Sequence, residues 1–101
     1  MNFIEHLNRW VASNRDTLGS ADTFVVSDSG AAYPKRSVHV VVEGRDHFTE
    51  LIVWDTGEAE FGSGALHGAQ SDEHHDLIDA AELDQLLARF LARAKDALPQ
   101  D

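Results

Sequence analysis

Cysteine is absent from this chain of 101 residues. Its absence excludes disulfide bonds, thiolate metal sites and a catalytic thiol, and it is typical of proteins that fold in a reducing cytosol. Long apolar runs are also missing, since none approaches the roughly 20 residues that a membrane-spanning helix requires. A charge as early as Glu5 is not typical of a secretory signal. The sequence therefore predicts a cytoplasmic protein that does not enter a membrane.

Basic residues are scarce, with 8 Lys and Arg against 18 Asp and Glu and a formal net charge of −10. Nucleic acids and anionic membrane surfaces both attract clustered Lys and Arg, so we expect neither as a partner. The acids are concentrated between Glu43 and Asp84, where twelve carboxylates and one arginine, Arg45, give a net charge of 1 − 12 = −11. Such a dense negative surface on a small domain predicts a positively charged partner.

Motifs for catalysis and for cofactor binding are missing as well. The chain has no glycine-rich phosphate-binding loop and no Gly-x-Ser-x-Gly motif, and Gly62-Ser63-Gly64 is too short a signal within a strand pattern. Carboxylate pairs are numerous, but nothing selects one pair as a general acid and base. His74 and His75 are adjacent, so in an extended segment their side chains point apart and form no metal site. We expect no enzyme activity, cofactor or metal; turnover by the isolated chain would contradict this.

Two amphipathic patterns predict a helix at each end of the chain. The first runs from residue 3 to about residue 17 and ends at Gly19, and the second follows residue 79 and ends at Pro99. Each begins with a capping box, formed by Asn2 with Glu5 and by Asp79 with Glu82. The second helix has the cleaner apolar stripe, with residues at three- and four-residue steps: Leu83, Leu86, Leu87, Phe90, Leu91, Ala94 and Leu98.

Four segments between the helices have the composition of strands, namely residues 23–26, 38–42, 48–55 and 58–61. Asp55-Thr56-Gly57 joins the last two as a hairpin turn, in which Gly57 supplies the positive φ that the turn needs. Gly62-Ser63-Gly64 is expected to interrupt the fourth strand or to form a bulge. The polar segment from Gly68 to Asp76 is expected to be a loop.

These elements predict a single α+β domain over residues 1–101, in the order α-β-β-β-β-α. Short links between the strands favour an antiparallel meander sheet. Both helices must bury an apolar stripe, and we expect them to pack on one face of the sheet. The other face is then free for solvent or for a partner. A strand edge near Phe24 or Phe61 would also allow a homodimer across a two-fold axis.

The hairpin carries acids that helix capping does not explain. Glu50, Asp55, Glu58 and Glu60 lie within cross-strand reach, where facing like charges are mildly destabilising. The two main interpretations are a solvated acidic face that resists aggregation and a face that binds a protein; a metal site made of carboxylates is the minor alternative. Strand alternation puts Trp54 on the same side as Glu50, either as a core residue or as an exposed aromatic anchor surrounded by acids.

The hairpin sequence Glu-Leu-Ile-Val-Trp-Asp-Thr-Gly-Glu-Ala-Glu, residues 50–60, resembles TriTu-type immunity proteins of bacterial polymorphic toxin systems. The resemblance extends to Trp10 in the first helix, to the acidic segment with histidines at 72–77 and to Glu82-Leu83-Asp84 at the start of the last helix. It implies a small cytosolic protein that binds and neutralises a cognate toxin domain. It assigns no catalytic residues.

We therefore predict an immunity protein whose partner is a basic toxin domain, because an acidic inhibitor can occupy a basic cleft and associate quickly with it. The predicted partner-binding residues are Glu50, Trp54, Asp55, Glu58, Glu60, Asp72, Glu73 and Asp76. The alternative is a secretion chaperone, or another acidic adaptor protein, that binds an effector. The state of the partner separates the two, since a chaperone binds an unfolded segment and an immunity protein binds a folded domain.

Overall fold

The computed structural model describes residues 2–30 and 35–98 of the chain. The predicted helix stop at Pro99 lies outside these residues. The elements, in chain order, are α1 (Phe3–Leu18), β1 (Thr23–Asp28), β2 (Ser37–Glu43), β3 (His47–Trp54), β4 (Glu58–Ala65), β5 (Gln70–Asp76) and α2 (Ala80–Asp96). Neither helix is long and apolar enough to cross a membrane.

Helix α1 begins and ends as the sequence predicts. The Asn2 carboxamide oxygen accepts a hydrogen bond from the Glu5 amide at 2.9 Å, which satisfies one of the amide groups left free at a helix start. Gly19 is the C-cap, and its amide donates to the Arg15 carbonyl. The buried stripe comprises Phe3, Ile4, Leu7, Val11 and Leu18.

Helix α2 has a capped start and the more deeply buried stripe. The Asp79 carboxylate accepts from the Glu82 amide at 3.0 Å, and the Glu82 carboxylate accepts from the Ile78 amide at 2.6 Å. Phe90 is fully buried, and its ring lies edge-on to Trp10 at 5.8 Å and to Phe61 at 6.3 Å. Because these rings come from α1 and β4, Phe90 joins both helices to the sheet.

The sheet confirms the predicted α+β class and the antiparallel meander, with the strands in the order β1-β2-β3-β4-β5. It has five strands instead of the four predicted, because the segment expected to be a loop, from Gly68 to Asp76, contains β5. Its polar composition hid the strand from sequence reasoning. An edge strand needs no apolar residues if its backbone pairs with one neighbour, and β5 pairs with β4 along its whole length.

Strand β4 is continuous, so the predicted interruption at Gly62-Ser63-Gly64 is wrong. The register with β3 is unbroken through this segment, with Glu50 opposite Gly62 and Thr49 opposite Ser63. Strand β5 pairs with the same segment from the other side. Ladder hydrogen bonds on both sides keep this stretch extended despite its low strand propensity.

Both helices pack on one face of the sheet, as predicted, and that face forms the core with β-strand residues Val38, Val40, Val42, Leu51, Val53, Ala59 and Phe61. On the opposite face, here called the open face, no described element packs. Its central and distal part carries His39, Glu50, Ile52, Trp54, Glu58, Glu60, Gly62, Asp72, His74 and Asp76. Of the two edges considered for a dimer, β5 covers the one near Phe61, whereas β1, with Phe24, is at an edge of the sheet.

Candidate functional site

The structure brings six of the eight predicted partner-binding residues together on the open face. Strand pairing places Glu58 opposite Asp76, and Gly62 lies between Glu50 on β3 and Asp72 on β5. Because side chains alternate along a strand, all of these residues point away from the helices. The six are Glu50, Trp54, Glu58, Glu60, Asp72 and Asp76.

Asp55 lies at the end of the sheet, in the turn that follows β3. Its carboxylate accepts a hydrogen bond from the Arg36 amide at 3.2 Å, and its own amide donates to the Arg36 carbonyl at 2.9 Å. These contacts hold the turn against the chain that enters β2. Asp55 therefore has a structural role at the rim of the open face.

Glu73 lies on the face of the sheet that the helices cover, away from the other predicted residues. It follows Asp72 directly on β5, and successive side chains of a strand point to opposite faces. Its two carboxylate oxygens accept hydrogen bonds from the Arg89 guanidinium at 3.0 and 2.7 Å, and one of them lies 3.0 Å from the His75 ring nitrogen. Hydrogen bonding to Arg89, and then to His75, lowers the pKa of Glu73 to about 2. The residue links β5 to α2.

Trp54 is on the open face, paired with Ser37, and is partly exposed. The interpretation of Trp54 as a core residue is therefore wrong, since the core lies on the other side of the sheet. The Lys35 ammonium group sits 5.0 Å from the centre of its indole ring and 2.7 Å from a Glu58 carboxylate oxygen. The hydrogen bond with Lys35 lowers the pKa of Glu58, so Glu58 has a local partner that the sequence did not indicate.

The middle of the open face is concave, with a cavity of about 360 Å³ bordered by Glu50, Ile52, Glu60, Gly62, Asp72 and His74. Gly62 contributes no side chain, which leaves a gap in the row between Glu50 and Asp72. A Cβ at this position would lie 2.8 Å from an Asp72 carboxylate oxygen and 3.2 Å from one of Glu50. The carboxylates of Glu50 and Asp72 therefore converge over Gly62, close enough that a Cβ there would displace them, and they border the concave middle of the face.

Histidines alternate with the acids on this face, a feature that sequence reasoning missed. His39 on β2 lies 3.1 Å from Glu50 on β3, and His74 lies 3.1 Å from Asp76 and 3.9 Å from Glu60. His74 and His75 point to opposite faces, as predicted. The contact between His39 and Glu50 joins two predicted strands and depends on their register, whereas the contacts of His74 could be found only by predicting β5.

The electrostatics of the open face are negative. Six carboxylates point from it, those of Glu43, Glu50, Glu58, Glu60, Asp72 and Asp76, and the only Lys or Arg joined to them by an ion pair, among the described residues, is Lys35. No group of three His, Asp or Glu side chains in the same part of the chain is placed to hold a metal ion. The arrangement can therefore attract and bind cationic groups.

Comparison with known proteins places this chain in a family. The family model described as immunity protein TriTu matches residues 5–93, a range that includes most of both helices and the whole sheet. No curated protein and no solved structure matches the chain. A family model that spans nearly the whole fold is sufficient for assignment, and the chain therefore belongs to the TriTu immunity protein family.

Proposed function

We propose that this chain binds and neutralises a cognate bacterial toxin domain, and that the open face of its sheet is the interface. The observation that supports the proposal is the difference between the two faces of the sheet. One face holds the entire core under two helices, while the other presents six carboxylates beside a partly exposed tryptophan. A sheet of this size does not need an acidic, uncovered face for stability, since like charges close together on a sheet are destabilising.

A basic toxin domain is the partner that the charge favours. Complementary potentials speed diffusional encounter and select against wrong partners. Toxins that act on nucleic acids need basic surfaces to bind phosphates, and an acidic inhibitor over such a surface would exclude the substrate. In this proposal the protein acts in the cytoplasm by occupying the toxin, with no catalysis and no cofactor of its own.

Trp54 would supply the aromatic anchor of the interface, since tryptophan is enriched among residues that dominate binding energy. Lys35 covers the ring in the free protein, and its side chain is 41 % exposed. An exposed cation–π contact of this kind contributes only about 0.5–1 kcal/mol. A basic side chain of the toxin could therefore replace Lys35 over the ring at little cost.

The test uses a candidate toxin domain, identified by sequencing the genes that flank the gene for this chain, and a pair of charge-matched variants. Glu60→Lys with Asp76→Lys reverses two open-face acids whose side chains are 56 % and 80 % exposed. Asp16→Lys with Asp96→Lys reverses two exposed acids on the helices. Each double variant changes the net charge from −10 to −10 + 4 = −6.

Association rates are then measured by stopped-flow fluorescence across a range of salt concentrations, alongside rescue of cells that express the toxin. We expect the open-face variant to associate about tenfold more slowly at low salt, with a flatter salt dependence, and the helix variant to stay close to wild type. Equal slowing in both variants would mean that net charge alone matters and that the open face is not the interface. Binding to unfolded toxin only, without rescue, would instead indicate a chaperone.

A further inference from the structure

We infer that the free edge of β5 pairs with a basic strand of the toxin, so that the complex extends the sheet by a sixth strand. The inference rests on the proposed function and specifies how the partner binds. It combines two independent features of β5, the direction of its backbone groups and the distribution of its charge.

The pattern of hydrogen bonds between β4 and β5 determines which backbone groups of β5 are left without a partner in the sheet. The Leu77 amide donates to the Gly57 carbonyl at 2.8 Å, and the Ala65 amide donates to the Ala69 carbonyl at 3.1 Å. These contacts belong to hydrogen-bonded pairs of an antiparallel ladder, in which every second residue bonds to the neighbouring strand. The odd-numbered residues of β5 therefore bond to β4, and the amide and carbonyl groups of Asp72, His74 and Asp76 point to the free edge.

The same three residues direct their side chains onto the open face, where they lie opposite Gly62, Glu60 and Glu58. A strand that bonds to this edge would consequently place every second side chain beside them, with Cβ atoms about 4.5–5.5 Å apart. The edge and the open face thus form one continuous surface. A partner that covers the acids is in position to use the backbone groups as well.

The charge of β5 determines which kind of strand can pair with its free edge. Strand β5 contains three acids, two histidines and no Lys or Arg. Pairing with a second copy would bring Asp72 and Asp76 close to the same residues of that copy, and charged side chains on an edge oppose such pairing. A strand with Lys or Arg at alternate positions would instead gain an ion pair at each of these positions.

The side chains of β5 that face the helices determine which residues suit the remaining alternate positions of the partner strand. Glu73 is already paired with Arg89 through two hydrogen bonds, so its carboxylate does not need a basic residue of the toxin as a partner. The side chains that the toxin strand turns toward Glu73 and His75 are therefore expected to be uncharged. The inferred partner is a strand that alternates basic and uncharged residues.

The opposite edge of the sheet fits a basic strand poorly. Strand β1 has the sequence Thr-Phe-Val-Val-Ser-Asp, with Val25 46 % exposed. Its single acid, Asp28, is paired with Arg36 through contacts of 3.1 and 2.6 Å. Two strands, β2 and β3, separate β1 from β4 and β5, so a cationic segment would find little attraction at that edge.

The test compares two substitutions of one residue, His74→Ala and His74→Pro, in binding to the same candidate toxin domain. Both remove the imidazole, but only proline removes the outward amide, and edge strands tolerate proline where the amide faces solvent. Because the two variants share the loss of the imidazole, they are compared with each other, and we expect the Kd of the proline variant to be about tenfold or more above that of the alanine variant. Circular dichroism checks that both variants fold.

A second measurement uses wild-type protein and does not depend on the folding of a variant. Amide hydrogen exchange followed by NMR should show that the amides of Asp72, His74 and Asp76 exchange quickly in the free protein and slowly in the complex. If the toxin binds while these amides stay unprotected and both His74 variants bind alike, edge pairing is refuted and the open-face proposal stands. If wild-type protein neither binds the toxin nor rescues cells, the proposed function itself fails.

Discussion

The turn between β3 and β4 depends on Gly57, and replacing this residue by alanine is expected to destabilise the protein strongly. Gly57 has a φ of 95°, and a Cβ there would lie 2.7 Å from the Leu77 carbonyl oxygen and 3.1 Å from the Phe3 ring. The Leu77 amide bonds to the Gly57 carbonyl, so the close approach is part of the β4–β5 ladder. The hairpin, the end of β5 and the start of α1 meet at this glycine.

The magnitude of the effect can be built from three terms. A left-handed backbone costs a residue with a Cβ about 1–2 kcal/mol. Forcing a methyl group against a backbone carbonyl and a buried ring costs a further ~1–3 kcal/mol. Alanine also reduces the conformational entropy of the unfolded chain, which offsets these costs by ~0.4–1 kcal/mol. The net expectation for Gly57→Ala is a loss of about 1–4.5 kcal/mol in the free energy of unfolding.

Two other glycines provide matched controls, because each has one of the two features. Gly30 has a φ of 83°, but no described residue lies within 4 Å of a Cβ built there, so Gly30→Ala should cost only about 0–1.5 kcal/mol. Gly44 has no positive φ, yet a Cβ there would overlap the Ala97 carbonyl at the end of α2. Gly44→Ala therefore measures the cost of a steric contact alone, without the cost of a left-handed backbone.

Equilibrium urea denaturation at 25 °C measures all three variants, with the midpoint and slope giving the free energy of unfolding. The slope should be unchanged, because the same surface is exposed on unfolding. A Gly57→Ala variant within about 0.5 kcal/mol of Gly30→Ala would refute the reasoning, since the contacts with Leu77 and Phe3 would then contribute nothing.

Two further predictions concern the core and the link between β5 and α2. Phe90→Leu should lower the free energy of unfolding by about 1–3 kcal/mol, because it removes two edge-on aromatic contacts; urea denaturation measures the loss. The pKa of Glu73 falls from 4.5 to about 2 on folding, so its ion pair with Arg89 stabilises the protein above pH 4.5 and this contribution is lost as the pH falls toward 2. The difference in thermal midpoint between wild type and Glu73→Gln should therefore be largest near neutral pH and vanish near pH 2.

Each of these predictions has an internal control. Phe48 is partly exposed on the open face, so Phe48→Leu should cost less than about 1 kcal/mol, and an equal loss for both phenylalanines would contradict the role given to Phe90. For the pH experiment, the effect of Glu73→Gln is also measured in an Arg89→Met background, where the ion pair cannot form and the dependence on pH should be smaller. A Glu73→Gln difference that is constant from pH 7 to pH 2 would show that the ion pair is not the cause.

The acids of the open face gain local partners in the folded chain, and this changes how they are interpreted. Lys35 pairs with Glu58, while His39 and His74 lie beside Glu50 and Glu60. These contacts moderate the repulsion that the sequence suggests, so the surface is tolerable in the free protein. They are exposed and weak, and a basic partner can compete with them.

Sequence reasoning succeeded for features that depend on neighbours along the chain. The caps at Asn2 and Asp79, the stripe of α2 and the turn at Gly57 were all predicted, because each depends on residues three or four positions apart or on one residue's backbone freedom. The meander followed from short links between the strands. Grouping acids by their nearness in sequence was less reliable, since Asp72 and Glu73 are adjacent yet lie on opposite faces of the sheet.

The sequence by itself determined an acidic α+β domain with a capped helix at each end and an acidic hairpin with Trp54. Only the tertiary structure decided that β5 is a strand, that Trp54 lies outside the core and that Glu73 is bound to Arg89. These outcomes depend on partners distant along the chain, β4 for the backbone of β5 and α2 for Glu73. A polar segment has no periodicity that reveals such pairing, because its strand geometry comes from hydrogen bonds to a neighbour and not from apolar burial.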